Sequence, residues 1–587
     1  MSIRWFGGRA ARHDTAGYPA AARTLIGNVH LAWLCGDWPD SQITTVQGAH
    51  RAVAVLGRAR CEPRILQQWA EHGVLDSAVS AFAGAYTVVE VTEHATVVLT
   101  DPGWVQPLYT AATADGSPLW GSSSLALAAL IGADVDQVWL GQHLRPGHDE
   151  GLGGEGEQRS AFDGVTSVPP GTRLTVTPSG TTSRPLAHTA TSAAITGPAA
   201  GLRAALQGAV AAIAEGSTAE GVVAADCSGG LDSTSLAMLL AQHRPAREDV
   251  LGDVLAVTVH PAGITAGGDL DYARAAVDDA CAALAGQGRR LEHLLCPLTD
   301  HHVPYSRMLE LAPATDEPAP STIAIARFDA ELALLAGRGA GDLVTGDGGD
   351  TLLGPQPGYL PDLAACPPLR SQTELVRHAL GWARLRRTAV WPLLARARAT
   401  ARRGGASETD RTRAAMRVVA RTARADAQIT EQRHGISLHN PFTDPAVVDA
   451  ALRQPGPLRA GPGDYKPLLR HAMTGLLPEA VPARRTKGDF TPDQYRGLRA
   501  HLDALTELVG GALAARGLID PGRYRALLAR AAAGAPGVGF HQLNPVLATE
   551  VWLRGIAHTP AVARWATPTG HQESELTTSS PRSKEQR

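Results

Sequence analysis

The feature that most restricts the fold of this chain is a Gly- and Ser-rich turn between a buried strand and a long apolar helix. The strand reads GVVAADC (221–227), the turn is Ser228-Gly229-Gly230, and the helical run STSLAMLLAQH (233–243) follows. A strand that passes through a tight turn into a helix is the repeating unit of a parallel sheet covered by helices. The sequence therefore predicts an α/β fold here.

The residue types in this turn also indicate phosphate chemistry. The two glycines allow backbone N–H groups to close on an oxyanion, and the helix N-terminus adds its positive end. Ser228, Ser233 and Thr234 supply hydroxyl donors. Asp232 would oppose a phosphate unless a metal lay between them, which suggests Mg²⁺. The pattern is not the Walker loop, since GxxxxGK[ST] is absent. The alternative interpretation is an ordinary helix cap after a glycine turn.

A second turn, TGDGGD (345–350), follows the short strand DLV. Parallel strands end at the same edge of a sheet, and ligands bind at that edge. We therefore expect Asp232 and Asp350 to face one Mg²⁺–pyrophosphate group, with Asp347 nearer the reacting carbonyl. The alternative interpretation is a surface turn, for which Asp and Gly are normal.

Lysine is rare in this chain: only Lys466, Lys487 and Lys584 occur among its 54 basic residues. In a chain that otherwise uses arginine, a lysine indicates a place that needs a compact ammonium. Lys487 lies in the basic loop ARRTKGDF, and we expect it to stabilise charge on an α-phosphate and on the oxyanion. Lys466 precedes a helix and is interpreted as structural.

The rest of the chain divides by its pattern. Residues 1–188 read as β-branched strands with short helices, 189–200 as a linker of small residues, 201–567 as alternating strands and helices, and 568–587 as a disordered tail. The net charge of −3 gives no case for nucleic-acid or membrane binding. The six cysteines contain no CxxC pair, which argues against zinc and disulfides. We expect a cytoplasmic protein.

These motifs resemble the asparagine synthetase family over about residues 200–560, through SGGLDST, TGDGGD, HGISLHNPFTD and the KPLLR block that ends in RRTKGDF. The N-terminal part resembles the family's glutaminase domain through FAGAYTVVEV, LTDPGWVQPLYT and VPPGTRLTV. The resemblance implies an α/β protein with an Ntn-type αββα domain and a PP-loop ATP pyrophosphatase domain. A glutaminase of this class needs an N-terminal cysteine, but residue 2 is Ser2, and no Asn-Gly pair occurs to hold glutamine. We therefore expect a degenerate scaffold and an amine that comes from elsewhere.

Among family members whose substrate carries its own amine, the chain looks most like lasso peptide cyclases. The β-lactam type has a tyrosine where this chain has Asp347. The resemblance implies that Mg-ATP adenylates a Glu or Asp side chain of a leader-free core peptide, and that the peptide's N-terminal amine then closes an isopeptide ring. It implies that Ser228, Gly229, Gly230, Ser233 and Thr234 hold pyrophosphate, that Cys227, Val259 and Gly346 line the adenosine, and that Asp347 receives or orients the amine proton. A leader peptidase and a precursor-recognition protein are the expected partners, with no nucleic acid and no membrane.

Three other functions stay open at this stage: an asparagine synthetase that uses free ammonia, a β-lactam-type small-molecule cyclase, and a catalytically inactive peptide-binding scaffold. Two further segments each have two possible interpretations. The Arg-rich segment 384–424 is a solvated helical face or a basic lid. The turn Asp316-Glu317-Pro318 is an exposed acidic turn or the wall of an enclosed cavity between the domains.

Overall fold

The computed structural model describes residues 3–10, 19, 22–27, 31–145, 158–187, 197–216, 221–244, 254–287, 289–366, 369–404, 406–484, 488, 490–535 and 537–558. Ser2, Lys487, Lys584, most of the proposed linker and the whole proposed tail lie outside these residues. None of the described helices is long and apolar enough to cross a membrane.

The N-terminal part, residues 3–187, contains two antiparallel sheets. The strands are β1 (Trp5–Arg9), β2 (Arg23–Thr24), β3 (Ala32–Cys35), β4 (Ile43–Gln47), β5 (Arg51–Gly57), β6 (Tyr86–Thr92), β7 (Thr96–Leu99), β8 (Leu108–Ala112), β9 (Pro118–Gly121), β10 (Thr166–Val168), β11 (Thr172–Thr177) and β12 (Gly180–Pro185). The helices are α1 (Pro63–His72), α2 (Ser124–Ile131) and α3 (Gln137–His143). One sheet has the order β10-β8-β9-β1-β3-β2 and the other β12-β11-β7-β6-β5-β4.

The two sheets pack face to face, and helices cover their outer faces. Phe6, Trp120 and Val89 belong to the core between the sheets, whereas Val88 faces α1 on the opposite side of its strand. Strand β6 is therefore buried on both faces, which explains why AYTVVEV is a continuous apolar run rather than an alternating one. The result is a helix–sheet–sheet–helix order of layers.

The C-terminal part, residues 197–558, contains a parallel sheet with helices on both faces. Its strands are β13 (Val222–Asp226), β14 (Val254–Pro261), β15 (Leu291–Leu298), β16 (Ala340–Val344) and β17 (Ser437–His439), in the order β15-β14-β13-β16-β17. The first helices are α4 (Pro198–Gly216), α5 (Leu231–His243), α6 (Gly268–Leu284), α7 (Ile325–Gly337), α8 (Gly349–Leu353) and α9 (Leu360–Ala365). Helices α5 and α6 pack on one face of the sheet and α7 on the other. The sequence prediction of a parallel α/β sheet is confirmed.

A set of helices follows that sheet. They are α10 (Leu369–Arg386), α11 (Val390–Arg403), α12 (Glu408–His434), α13 (Pro445–Leu452), α14 (Gly456–Ala460), α15 (Pro467–Ala472), α16 (Ala480–Ala483), α17 (Thr491–Ala500), α18 (Leu502–Leu508), α19 (Ala512–Ala515), α20 (Pro521–Ala532) and α21 (Phe540–His558). The Arg-rich segment thus spans parts of three helices. Helices α10 and α11 share a small core with Trp382 and Leu394.

Two element boundaries differ from the sequence interpretation. Helix α4 begins at Pro198, so the end of the proposed linker is helical, as expected for a proline at the first helical position. Helix α15 ends at Ala472 rather than near Leu477, because Gly475 adopts a left-handed backbone with φ of 76°.

The turn Asp316-Glu317-Pro318 is not an exposed acidic turn, and it borders neither of the two cavities described below. Asp316 is only 2% exposed. Its carboxylate accepts hydrogen bonds from the Ser123 hydroxyl at 2.6 Å, the Leu125 N–H at 3.0 Å and the Gln428 side-chain amide at 2.6 Å. The turn therefore joins the N-terminal part to α12, and burial is tolerated because the charge is fully hydrogen-bonded.

Candidate functional site

The Gly- and Ser-rich turn forms a closed loop at the N-terminus of α5. Gly229 has a φ of 67°, and a Cβ there would lie 2.6 Å from the carbonyl oxygen of Asp269, so only glycine fits. The Ser228 N–H donates to the Ser233 hydroxyl at 3.2 Å, and the two hydroxyls lie 2.9 Å apart. Thr234 is fully buried in the first turn of the helix. The loop presents backbone N–H groups at a helix N-terminus, which is the geometry that binds phosphate.

The TGDGGD turn lies against this loop at the same edge of the sheet, because β13 and β16 are parallel neighbours. A Cβ on Gly346 would come within 2.8 Å of the Ser233 nitrogen, and one on Gly349 within 2.5 Å of the Asp232 carboxyl carbon. The close approach of the two turns thus depends on these glycines. Asp347 is exposed at this edge and accepts a hydrogen bond from Thr345 at 3.1 Å.

Lys466 connects the two turns, although its position before a helix suggested a structural role. It does stand at the N-terminus of α15, with a φ of 47°, but its side chain is fully buried in the site. The ammonium pairs with the carboxylate of Asp232 and lies 2.7 Å from Oδ1 of Asp350. The Tyr465 hydroxyl donates to the same Asp350 oxygen at 3.0 Å. A non-glycine residue in this backbone region is often held in place for function.

The residues fit the Mg²⁺ that the sequence predicts. Asp232 and Asp350 approach one point closely enough to share a single ammonium, so two hard oxygen ligands converge beside the phosphate loop. Among the described residues, no group of three or more His, Cys, Asp and Glu side chains could hold a metal by itself. In Mg²⁺ sites of this kind, one or two carboxylates and substrate phosphates share the ion.

Lys487, with residues 485 and 486 before it, lies outside the described residues. Its neighbour Arg484 lies at the phosphate loop: the guanidinium pairs with Asp269, donates to the Ser228 carbonyl at 3.4 Å and stacks 4.6 Å above the Tyr272 ring. Arg484, the last described residue before Lys487, therefore lies beside the predicted pyrophosphate site. The sequence analysis did not single out Arg484, because one arginine in a run of basic residues carries no distinguishing signal.

The residues predicted to line adenosine have different surroundings. Val259 borders a cavity of about 300 Å³ at the carboxyl ends of β14 and β15, together with His260, Leu298, Thr299, Arg327 and Phe490. Cys227 is fully buried, its N–H donates to the Val257 carbonyl at 2.7 Å, and burial raises the pKa of its thiol to about 11. Gly346 lies between the two turns rather than at the cavity.

An enclosed space between the N-terminal and C-terminal parts was also expected, large enough for a threaded peptide. The cavity found there, beside Arg58, Arg424 and His439, has a volume of only about 110 Å³. Two of its lining side chains, Arg58 and His439, both pair with Asp342, at 2.5 Å and 2.7 Å. The larger cavity, beside Val259, lies within the C-terminal part.

Several further carboxyl groups lie near the edge of the sheet at which β13 and β16 end. Asp226 ends β13 and interacts with Glu331 of α7, and both feel the charge of Asp347. Burial, followed by the charge of Glu331, raises the pKa of Asp226 well above its usual range, and burial also raises the pKa of Glu331. Burial raises the pKa of Asp426, whose carboxylate accepts from Ser321, to about 7. This edge therefore combines backbone N–H donors at a helix N-terminus, two carboxylates that share one ammonium, and further carboxyl groups with raised pKa values.

Comparison with known proteins gives one family, and the distant structural likenesses include the two described below. The asparagine synthase family profile matches residues 201–554. No curated protein sequence matches the chain significantly. The solved structure of the allosteric regulatory enzyme of purine biosynthesis is 12% identical, with 59% of this chain and 74% of that chain covered and a TM-score of 0.19. Glutamine phosphoribosylpyrophosphate amidotransferase from B. subtilis, complexed with ADP and GMP, is 13% identical, with 59% and 75% covered and a TM-score of 0.19.

Proposed function

The chain belongs to the asparagine synthase family, and on that premise we propose that it closes a macrolactam ring in a ribosomally made peptide. Family membership makes it an ATP-dependent, AMP-forming ligase that joins carbon to nitrogen. The proposal adds the substrate: a leader-free core peptide in which a Glu or Asp side chain is joined to the N-terminal amine. The products would be a lasso peptide, AMP and pyrophosphate.

One observation carries the adenylation half of this proposal. Asp232, Asp350 and Lys466 converge beside the phosphate loop of Ser228–Gly230, although they come from three separate segments. Hydroxyls and backbone N–H groups there can hold the leaving pyrophosphate, and a divalent cation on the two aspartates would neutralise phosphate charge when bound. The substrate carboxylate would attack the α-phosphorus, the bond to the β-phosphate oxygen would break, and pyrophosphate would leave. Lys466 is placed to offset charge on the phosphates during this step.

The amide-forming half of the proposal rests on Asp347. The neutral amine would attack the acyl carbon of the adenylate, AMP would leave with the electron pair, and Asp347 would accept a proton. An α-amine has a reference pKa of about 7.7–8.0, so a carboxylate can serve as the base. Holding the carboxyl and the amine of one molecule together is worth roughly 7–11 kcal/mol, so the protein's main task would be positioning.

Two features support a peptide as the substrate. The strings TGDGGDTLLG, HNPFTD and RRTKGDFTPDQYRGLR, which resemble lasso peptide cyclases, lie in the C-terminal part, and a cavity of about 300 Å³ opens at the same sheet edge. Asp347 stands where the β-lactam type has tyrosine, which disfavours that rival. We propose that a leader peptidase and a precursor-recognition protein deliver the peptide.

The test is pyrophosphate release with Mg-ATP, with mass spectrometry of the products, for wild type and Asp350→Ala. One substrate set is a series of peptides with a free N-terminus and a single Glu or Asp at successive positions; the other is aspartate with ammonia. A peptide lighter by one water, formed only by wild type, supports the proposal. Asparagine as the product would replace it with an ammonia-dependent synthetase. ATP binding without either product, with the partner proteins present, would favour the inactive scaffold.

A further inference from the structure

The turn that carries Asp347 is hydrogen-bonded to the end of the neighbouring strand. Strands β16 and β17 are parallel neighbours, and the Thr345 N–H, directly after β16, donates to the His439 carbonyl at 2.9 Å. Asn440 follows β17, and its side-chain amide donates to the Thr345 hydroxyl at 2.8 Å. That hydroxyl in turn donates to Oδ2 of Asp347 at 3.1 Å. Two consecutive hydrogen bonds therefore connect the end of β17 to the Asp347 carboxylate.

The direction of these hydrogen bonds depends on Asn440. A hydroxyl has one hydrogen and two acceptor positions. The Asn440 amide and the Asp347 N–H, at 2.8 Å and 3.3 Å, occupy the acceptor positions of Thr345, so its single hydrogen is left for the Asp347 carboxylate. Thr345 is only 5% exposed, so water has little access to compete for that hydrogen. A donor at position 440 therefore makes the Thr345 hydroxyl a donor to Asp347.

The strand from which Asn440 extends is itself anchored at both ends. Arg4, from the N-terminal part, donates to the hydroxyl of Ser437, the first residue of β17, at 2.5 Å. At the last residue of the strand, the His439 ring pairs with Asp342 at 2.7 Å. These anchors limit the movement of Asn440, as is needed for a residue that orients another side chain.

We propose that Asn440 and Thr345 are positioning residues that hold the Asp347 carboxylate in place for the amine-attack step. This inference rests on the proposed function, in which Asp347 accepts a proton from the attacking amine. Asp347 is exposed and lies between Gly346 and Gly348, which restrict the backbone little. The Thr345 hydroxyl holds Oδ2 and thereby fixes the orientation of the carboxylate. A misplacement of about 1 Å in such a group can lower a rate about 100-fold.

Two nearly isosteric variants test this role. Thr345→Val removes the hydroxyl, and Asn440→Asp replaces the donor by an acceptor, which draws the hydroxyl hydrogen away from Asp347. Both changes should lower ring closure by ~10- to 100-fold. ATP–pyrophosphate exchange, which needs no amine, should continue. Because Asn440 acts through the hydroxyl, Asn440→Asp should cost little more when Thr345→Val is already present.

The controls separate positioning from folding. Thr345→Ser keeps the hydroxyl and should retain ring closure. Asn544→Asp is the matched control for Asn440→Asp, because the oxygen of Asn544 accepts from the Tyr305 hydroxyl and the change keeps an acceptor there. Equal loss of exchange and ring closure in the site variants, or ring closure as fast as in wild type, would overturn the inference.

A second measurement does not depend on the substrate. Since the chain has only three asparagines, labelling with ¹⁵N-asparagine gives three side-chain amide groups in an NMR spectrum, and the one lost in Asn440→Asp belongs to Asn440. Its signals should move in Thr345→Val and in Asp347→Ala, and stay in place in Glu292→Gln, which changes an exposed carboxylate of β15. Signals that are the same in Thr345→Val and in wild type refute the inference. If wild type makes asparagine from aspartate and ammonia rather than a ring, the proposed peptide substrate is wrong, and the same variants test the inference in that reaction.

Discussion

Replacing Lys466 by methionine removes the cation that two carboxylates share while keeping most of the side-chain volume. Lys466 is fully buried, and its ammonium contacts Asp232 and lies 2.7 Å from Asp350. Breaking a fully buried ion pair costs about 3–5 kcal/mol. Asp350 is 55% exposed and Asp232 14% exposed, so water recovers part of this cost. We therefore expect Lys466→Met to lower the free energy of unfolding by about 2 kcal/mol, a fall in Tm of roughly 3 °C for a unit of this size.

The same change should alter the response to Mg²⁺. In wild type the ammonium lies between the two aspartates, so Mg²⁺ without ATP must displace it. In Lys466→Met the carboxylates are free of that competitor, and Mg²⁺ should raise the Tm of the variant more than that of wild type. Pyrophosphate release should fall at least ~100-fold, as when one group that stabilises transition-state charge is removed. Melting curves with and without Mg²⁺ and a pyrophosphate-release assay measure both effects.

Lys487→Met is the matched control, because it removes the other internal lysine of the chain. If Lys466→Met melts like wild type with and without Mg²⁺, the ammonium does not hold the two aspartates. If Lys487→Met abolishes pyrophosphate release while Lys466→Met retains it, the catalytic cation is Lys487, as the sequence analysis predicts. Lys466→Arg tests shape separately from charge, since a planar guanidinium does not fit a site shaped for an ammonium.

Three further changes test other parts of the structure. Gly349→Ala should abolish pyrophosphate release, since its Cβ would collide with Asp232, whereas Gly341→Ala, with open space around it, should not. Burial raises the pKa of Asp444 from its usual 3.8 to about 7. The protonated carboxyl therefore stabilises the fold fully below pH 3.8, and this contribution is lost as the pH rises through about 7. Between pH 5 and pH 8, the Tm of Asp444→Asn, measured by calorimetry, should therefore fall less than that of wild type. Asp316→Ala should cost about 3 kcal/mol in urea unfolding, because it leaves buried donors unpaired; an unchanged midpoint would contradict this.

The sequence predicted the parallel sheet and the meeting of the two turns because both depend on local patterns. The run GVVAADC, bounded by turn residues, predicts a buried strand, and the glycines of the TGDGGD turn allow the close approach seen at Gly346 and Gly349. Since β13 and β16 are parallel neighbours, their loops must emerge at one edge. Here the short-range pattern and the topology rule were sufficient.

The remaining site residues depend on packing between distant segments. Lys466 precedes a helix, which suggested a structural role, and its rarity in the chain was the signal that pointed to the site. Glu331 reads as an ordinary residue of an apolar helix, and its contact with Asp226 exists only because α7 covers that face of the sheet. Asp316 looked like part of a surface turn, and its burial depends on Gln428 of α12. No local pattern encodes these long-range contacts.

The last of the described helices, α21, completes a core that begins in the N-terminal part, and this has a consequence for synthesis. Leu543, Leu547 and Trp552 of α21 belong to the same buried cluster as Trp5 and Trp33 of the N-terminal sheet. Helices α2 and α3 cover that sheet first, and Trp552 then packs against Trp139 of α3 and against Phe162, with ring centres 6.4 Å and 5.9 Å away. A ribosome adds about 5–20 residues per second, so these two side chains must wait roughly 20 to 80 seconds for α21. During that time the nascent chain exposes a sticky apolar surface that chaperones would need to shield. A nonsense codon shortly before α21 would therefore remove the C-terminal helix and also destabilise the N-terminal part.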